Sequence, residues 1–409
     1  LDLLQDRGVN TMRVYLELEN AHAVGNPDLP RGTYWVEDTS GQYNPDMRTF
    51  VENVLREATD RGIRLIFSPF DSFSYDDAFN VEGPWGSVRG GPLVGIDQNG
   101  DAPSDTGIDR FFQNPGTLPI AKARMAEIIS WVNATPYGRT LIGWEPVSEW
   151  DSFEWTLNNE GNVDPGRETE FRRRAVWIDE LAQFIKDTDP NHLVLNSTIA
   201  RDPRGPVARE VFYSRTWDAL TPHLYTNSSE EPINNPASDK SVMPAVENAY
   251  FTNYWLTNRI DNRPIINGEW GMTRSSWPGG VPQYGPGFTQ AQDEALFRTM
   301  MWSGVANGQA GMGLRIATDE LASTAENPGG TNFFILTPTM RALQRSFANF
   351  FNSNSLSLDW ANFAMRTLAG RINATAAGKT ILSWGVSDGA QGVVYVLQDG
   401  NRSSGTVTG

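Results

Sequence analysis

Short apolar runs alternate with amphipathic helical segments along most of this chain, and that rhythm constrains the fold more than any other feature. Gly8 closes a short helix, and residues 11–16 follow as a strand. Residues 47–61 read as a helix because Phe50, Val51, Val54, Leu55 and Ala58 recur at helical spacing on one face. Residues 63–67 supply the next strand, 122–133 a helix, and the run Leu141-Ile142-Gly143-Trp144 a third strand. Residues 171–187 form an amphipathic helix ending in Asp189-Pro190, followed by a strand over 192–195. Strands are expected again over 219–225, 264–268 and 311–316, with helices over 246–258 and 291–306.

Seven strands in a βα rhythm imply right-handed parallel units, hence a closed barrel or an open doubly wound sheet. No Gly-rich phosphate loop follows the first strand, which counts against a dinucleotide-binding sheet. Polar residues at the strands' C-terminal ends suit an α/β fold, a (β/α)8 TIM barrel whose first strand lies upstream of Leu1. Residues 70–118 form a long Gly/Asp/Pro-rich connection, unusual for a barrel and expected to shape a cleft. After a helix over 340–351, β signals appear over 380–386 and 392–397 around a Ser387-Asp388-Gly389 turn. The expected organisation is a barrel over 1–352 and part of a small β-rich domain over 353–409.

The bulk properties exclude several functions. The 409 residues carry a net charge of −16, so nucleic acid, itself polyanionic, is not an expected partner. No apolar run approaches the ~18 residues of a membrane span, so no membrane partner is expected either. There is no cysteine, hence no thiolate nucleophile or Cys metal site, and the three histidines are not spaced as a zinc pair. No metal and no cofactor are expected. The chain opens Leu1-Asp2-Leu3-Leu4 with no signal peptide, as if starting inside a domain after export or cropping, and an extracellular, secreted location is expected.

Two carboxylates stand out, 120 residues apart. Glu149 lies in Trp144-Glu145-Pro146-Val147-Ser148-Glu149-Trp150, and Glu269 in Pro264-Ile265-Ile266-Asn267-Gly268-Glu269-Trp270. Each follows an apolar run that reads as a buried strand, and an acid is stable there only where the strand opens into a cleft. Two such acids facing each other would cut a glycosidic bond, one as proton donor and one as nucleophile. Glu145 is the other candidate for the acid, four residues deeper.

Here the pattern resembles a known family. Trp144-Glu145-x-x-Ser148-Glu149 is similar to the strand-4 signature of glycoside hydrolase clan A, family 5, where Trp-Glu-x-x-Asn-Glu carries the acid/base. The segment 264–271 is similar to its strand-7 nucleophile motif, His223-Leu224-Tyr225 to its strand-6 His-x-Tyr, and Asn10-Thr11-Met12-Arg13 to its strand-2 Asn-x-x-Arg. The resemblance covers roughly residues 1–320. It implies a retaining glycoside hydrolase with Glu149 as acid/base, Glu269 as nucleophile and a β-linked glycan, of mannan or glucan type, as substrate.

Arg13, Glu17, Trp144, Ser148, Trp150, His223, Tyr225 and Trp277 are the candidate substrate-contacting residues. Alternation puts Arg13, Tyr15 and Glu17 on one strand face. Arg13 is expected to support the charge of Glu269, with a phenolic hydrogen bond from Tyr225. Trp144 and Trp150 are expected to desolvate Glu149. Ser148 departs from the family's Asn, and the expected eighth strand over 311–316 lacks the family's Trp, leaving Trp302 and Arg315 as substitutes. These departures motivate a rival reading, a non-catalytic carbohydrate-binding protein on a decayed glycosidase barrel. An enolase-type lyase would need three carboxylates at successive strand ends, which Arg13, Phe67, Ser148 and His223 do not provide.

Overall fold

The computed structural model describes residues 1–16, 36–70, 112, 115–151, 168–198, 208–227, 263–273, 290–306, 308–310, 336–353, 381–387 and 391–398. They belong to two compact units, Leu1–Leu220 and Thr221–Gly409. The expected helix over 246–258 and strand over 311–316 lie outside the described residues, as does nearly all of the 70–118 connection.

In the first unit a short helix α1 (Asp2–Asp6) leads into strand β1 (Thr11–Tyr15). A small antiparallel hairpin follows, β2 (Glu37–Thr39) and β3 (Gln42–Tyr43), which the sequence reading did not anticipate. It is tied down by a buried ion pair between Glu37 and Arg124. Helix α2 (Pro45–Asp60) starts where the Asn44 side chain accepts a hydrogen bond from the Asp46 N–H at 2.9 Å, with Pro45 at the first helical position. Its buried residues Met47, Val51, Leu55 and Ala58 recur every three or four positions, which is the stripe that packs on the sheet.

Strand β4 (Arg64–Ser68) is buried continuously from Leu65 onward, as a parallel strand covered on both faces should be. Helix α3 (Thr117–Ala134) and a 3₁₀ turn, Gly138–Thr140, lead to β5 (Leu141–Trp144), and helix α4 (Glu168–Thr188) to β6 (Leu193–Thr198). β1, β4, β5 and β6 pair in parallel in that order, with Phe67 beside Trp144 and Trp144 beside Val194. Gly143 permits the β5–β6 approach, because a Cβ there would lie 2.4 Å from the Leu193 carbonyl oxygen. A short helix α5 (Ala208–Phe212) precedes β7 (Ala219–Asn227), whose entry is fixed by Asp218. Asp218 accepts from the Val194 N–H at 2.9 Å, gives its own N–H to the Val194 carbonyl at 2.8 Å and pairs with Lys186 at 2.6 Å.

In the second unit β7 continues and pairs in parallel with β8 (Glu269–Thr273), His223 lying opposite Glu269. The strand expected over 264–268 is therefore displaced. Among residues 263–268 only Ile265 makes a bridge, its carbonyl accepting from Ala310, and the strand proper begins at the acid instead of ending on it. Pro264, without an N–H, weakens pairing at the front of that run. Helix α6 (Gln290–Ala306) sets Phe297 against Trp270, ring centroids 5.1 Å apart. Helix α7 (Pro338–Asn352) is capped by Thr337, which accepts from the Met340 N–H and donates to Glu294 of α6. Trp302 stacks against Phe347 and Phe350 in this helical layer, so it is a packing residue there and not the sugar platform expected of it.

The C-terminal β signals form an antiparallel pair, β9 (Ile381–Ser387) and β10 (Gly392–Gln398), with Ser387 opposite Gly392. It packs on α6, where the Tyr395 hydroxyl bonds to Thr299. Among the described residues no helix is long and apolar enough to cross a membrane.

Candidate active site

The β5 strand delivers two different environments through simple alternation. Trp144 points one way, into the layer beneath α4, where its indole N–H donates to Asp189 at 2.9 Å. Glu145 points the other way and is fully buried against Arg13 of β1, whose Nε donates to its carboxylate. The Arg13 fork is used almost completely. Nη1 donates to the Tyr15 hydroxyl at 2.7 Å, and Nη2 donates to Ser148 Oγ at 2.9 Å and reaches Ser197 Oγ at 3.5 Å. The Tyr15 hydroxyl and Ser148 Oγ lie 3.3 Å apart, closing the network. A planar guanidinium with five donors suits this hub in a way that a lysine would not.

Glu149 is not at the strand end itself. β5 stops at Trp144, and Glu149 lies in the turn that follows, with its backbone at φ 48°. It is the one residue other than glycine with a positive φ among those described. Such a conformation costs a non-glycine residue roughly 1–3 kcal/mol and persists only where the surroundings over-determine it. Here they do. The Glu149 N–H donates to Ser197 Oγ at 3.1 Å, the Trp150 indole N–H to Asn196 Oδ1 at 2.8 Å, and the Thr198 hydroxyl to the Asp151 carboxylate. On the near side the Ser148 N–H donates to the Phe70 carbonyl at 3.0 Å. The Glu149 side chain is thus held at 9% exposure in a turn pinned from both sides.

In the second unit Glu269 is buried beside His223, with Nδ1 3.5 Å from its carboxylate. The preceding Gly268 explains the Gly-Glu pair: a Cβ there would lie 3.0 Å from two atoms of the His223 ring. Asn267, with its amide oriented as its neighbours require, donates to the carbonyls of Glu269 at 2.8 Å and Pro222 at 3.0 Å. The acid therefore sits on a backbone braced by its own neighbour.

The expected residues are placed unevenly. Arg13 joins Glu145 and Ser148, the residue before Glu149, and His223 stands beside Glu269. Arg13 has Glu145 as its carboxylate partner, which makes Glu145 an ion-pair residue at the base of the cluster instead of a rival acid. Trp144 and Trp150 are corrected: neither is a surface for sugar. Trp144 is fully buried on the helix side of β5, and Trp150 is buried against Phe171, its indole N–H held by Asn196. An aromatic at these positions serves the core because its N–H finds a buried acceptor. Glu17 and Trp277 lie outside the described residues, and the Tyr225 side chain is likewise not described.

Sequence reasoning missed Asn196, Ser197 and Thr198. The strand was expected to end at Leu195 but runs on to Thr198. The signal was a run of three polar residues directly after a buried strand, the position at which barrel sites are built.

The chain is 24% identical over 318 residues to mannan endo-1,4-beta-mannosidase 4 of Solanum lycopersicum, the match covering 69% of this chain and 66% of the relative. It spans 56 to 66% of the length of the curated plant mannanases it matches. Among solved structures, an endo-beta-1,4-mannanase from Thermotoga petrophila matches 97% of this chain and 92% of its own, with TM-score 0.52 and 14% identity. A glycoside hydrolase family 5 mannosidase from Rhizomucor miehei matches 85% of each chain, with TM-score 0.55 and 14% identity. These likenesses carry the fold, a (β/α)8 barrel. The model of the family described as GH family 5 beta-mannosidase-like matches residues 1–307, three quarters of the sequence, and the chain belongs to that family.

Proposed function

We propose that the protein is a retaining glycoside hydrolase acting on a β-linked glycan, of β-1,4-mannan type, with Glu149 as acid/base and Glu269 as nucleophile. The observation that carries this reading is the conformation of Glu149, a buried carboxylate kept at positive φ by a turn whose backbone N–H is held by Ser197. Membership of a family of β-mannosidase-like proteins and the mannanases among its relatives support the substrate class.

In the first step the Glu269 carboxylate attacks the anomeric carbon while the glycosidic C–O bond breaks, and Glu149 gives its proton to the departing oxygen. A covalent glycosyl ester on Glu269 results. Water then attacks the anomeric carbon, Glu149 takes its proton, and the Glu269 carboxylate is released with the anomeric configuration retained. This route requires the two carboxyl groups to come within about 5 Å of each other. His223 orients Glu269, and Arg13, joined to Ser148 and Ser197, is proposed with Ser148 as a sugar contact beside Glu149. Tyr225, Glu17 and Trp277 are proposed as further sugar contacts, and the barrel is proposed to extend to residue 352 with a β-rich segment after it. Secretion suits a polymeric substrate outside the cell.

The test is reducing-sugar release from β-mannans, β-glucans, xylan and galactans by the parent, Glu149→Ala and Glu269→Ala. Turnover of mannan, lost by several orders of magnitude in both variants, is the expected result. Glycan binding without turnover, unchanged in either variant, would leave the carbohydrate-binding reading in its place.

A further inference from the structure

Ser197 lies in β6, 48 residues from Glu149, with no titratable group of its own, yet it contacts the proposed acid/base through that residue's backbone. Its hydroxyl oxygen takes the Glu149 N–H at 3.1 Å and lies 3.5 Å from Arg13 Nη2. We infer that Ser197 is a positioning residue for Glu149, holding the left-handed turn in which the carboxyl is presented to the glycosidic oxygen. The inference rests on the acid/base reading of Glu149 and adds to it a residue from a different strand.

A residue with a side chain returns to an ordinary backbone conformation unless its flanking groups are held. Trp150 and Asp151, immediately after Glu149, are secured by Asn196 and Thr198. Those two contacts hold the chain downstream of the strained residue. Only Ser197 among these three takes the strained residue's own N–H, and its oxygen has the lone pairs to serve Arg13 as well. Three consecutive residues of β6 therefore match three consecutive residues of the turn, with the acid at the first. Ser197 is 1% exposed, so no solvent molecule replaces its oxygen without rearrangement. Loss of the hydroxyl frees the peptide to rotate and swings the carboxyl away from the departing oxygen. The change removes no side chain proposed as a sugar contact.

This role leaves a signature that mere structural support does not. A leaving group that needs no proton departs equally well whether or not Glu149 is well placed. The experiment compares the parent, Ser197→Ala, Ser197→Thr and Glu149→Ala on β-mannan and on a 2,4-dinitrophenyl β-mannooligosaccharide, reading kcat/KM for each. Ser197→Ala is expected to lose roughly tenfold or more on mannan, a fraction of the 10²–10⁴ that general acid catalysis supplies. On the dinitrophenyl substrate it is expected to stay within about twofold of the parent, because that bond breaks unassisted. Ser197→Thr, which keeps the hydroxyl, is expected to recover most of the mannan activity. If Ser197→Ala does not fold, Ser197→Cys fills the site with a slightly larger group that is a weaker acceptor and is expected to show the same selective loss. An equal loss on both substrates, or no loss on mannan, overturns the positioning role while Glu149→Ala still shows the selective loss of an acid. If Glu149→Ala itself shows no leaving-group dependence, the acid/base reading falls and takes this inference with it.

Discussion

The imidazole of His192 donates to the carboxylate of Asp189 across 2.7 Å, while its other ring nitrogen lies 3.1 Å from the Gly138 carbonyl oxygen. Both nitrogens therefore face acceptors, and only the doubly protonated ring satisfies both. The same carboxylate accepts the Trp144 indole N–H, so one pair locks the end of α4 to the back of β5.

This pair makes stability depend on pH in a defined window. Burial alone would push the Asp189 carboxyl up and the His192 ring down. The hydrogen bonds and opposite charges, with those of Trp144 and Gly138, outweigh burial, so Asp189 lies below its ordinary 3.8 and His192 above its ordinary 6.5. The contribution of Asp189 is present above 3.8 and lost as pH falls through its lowered value, and that of His192 is present below 6.5 and lost as pH rises through its raised value. The gap in melting temperature between the protein and His192→Gln should be widest at about pH 4–6 and shrink above neutrality. A gap that stays constant from pH 5 to about 9 would show that His192 does not act as a cation.

Arg13 and Glu145 are both buried, so removing one strands the other. Arg13→Ala should cost about 3–5 kcal/mol of stability, and Arg13→Ala combined with Glu145→Ala appreciably less than the sum of the single losses. Denaturant titration of the three variants checks this, and strict additivity would mean that the pair is not coupled.

Glu149 pays a conformational cost that glycine would not. Glu149→Gly and Glu149→Ala should be equally inactive, yet Glu149→Gly should be the more stable by roughly 1 kcal/mol, since alanine keeps the steric penalty of the left-handed backbone. Calorimetry of the two variants decides it, and equal melting points would remove the evidence for strain.

Trp150 is a core residue with a hydrogen bond to Asn196. Trp150→Phe should lower stability by about 1–3 kcal/mol, through the lost bond and the indole's volume, and leave the KM for glycan within twofold, a small change on the scale of a lost contact. A large rise in KM with unchanged stability would return it to the substrate.

The two tightly placed glycines should fail differently. A Cβ at Gly143 meets the Leu193 backbone oxygen at 2.4 Å, which cannot move without separating β5 from β6, so Gly143→Ala should cost ~1–3 kcal/mol or more. A Cβ at Gly268 meets the His223 ring at 3.0 Å, and the ring can tilt. Gly268→Ala should thus remain folded but lose activity as His223 is moved off Glu269. Thermal unfolding and mannan turnover, measured on both, separate the two outcomes.

The βα rhythm and most of the described helices were legible because they are written in local pattern, and the two acids were picked out in the same way. Met47, Val51, Leu55 and Ala58 repeat on one helical face, and an acid after a buried run is conspicuous wherever it occurs. The hairpin over residues 37–43 was not legible, because two strands of three and two residues carry no periodicity, and what holds them is a partner 87 residues away.

What the sequence by itself determined was therefore the order of most elements and the family. The tertiary structure alone decided where each side chain points and what it meets. Trp144 and Glu145 are adjacent, yet one faces a helix and the other an arginine 132 residues distant, because a strand alternates its faces. Ser197 gained its place beside Glu149 in the same way. A hydrogen bond between residues 48 positions apart depends on which strands become neighbours, and that is settled only when the sheet assembles.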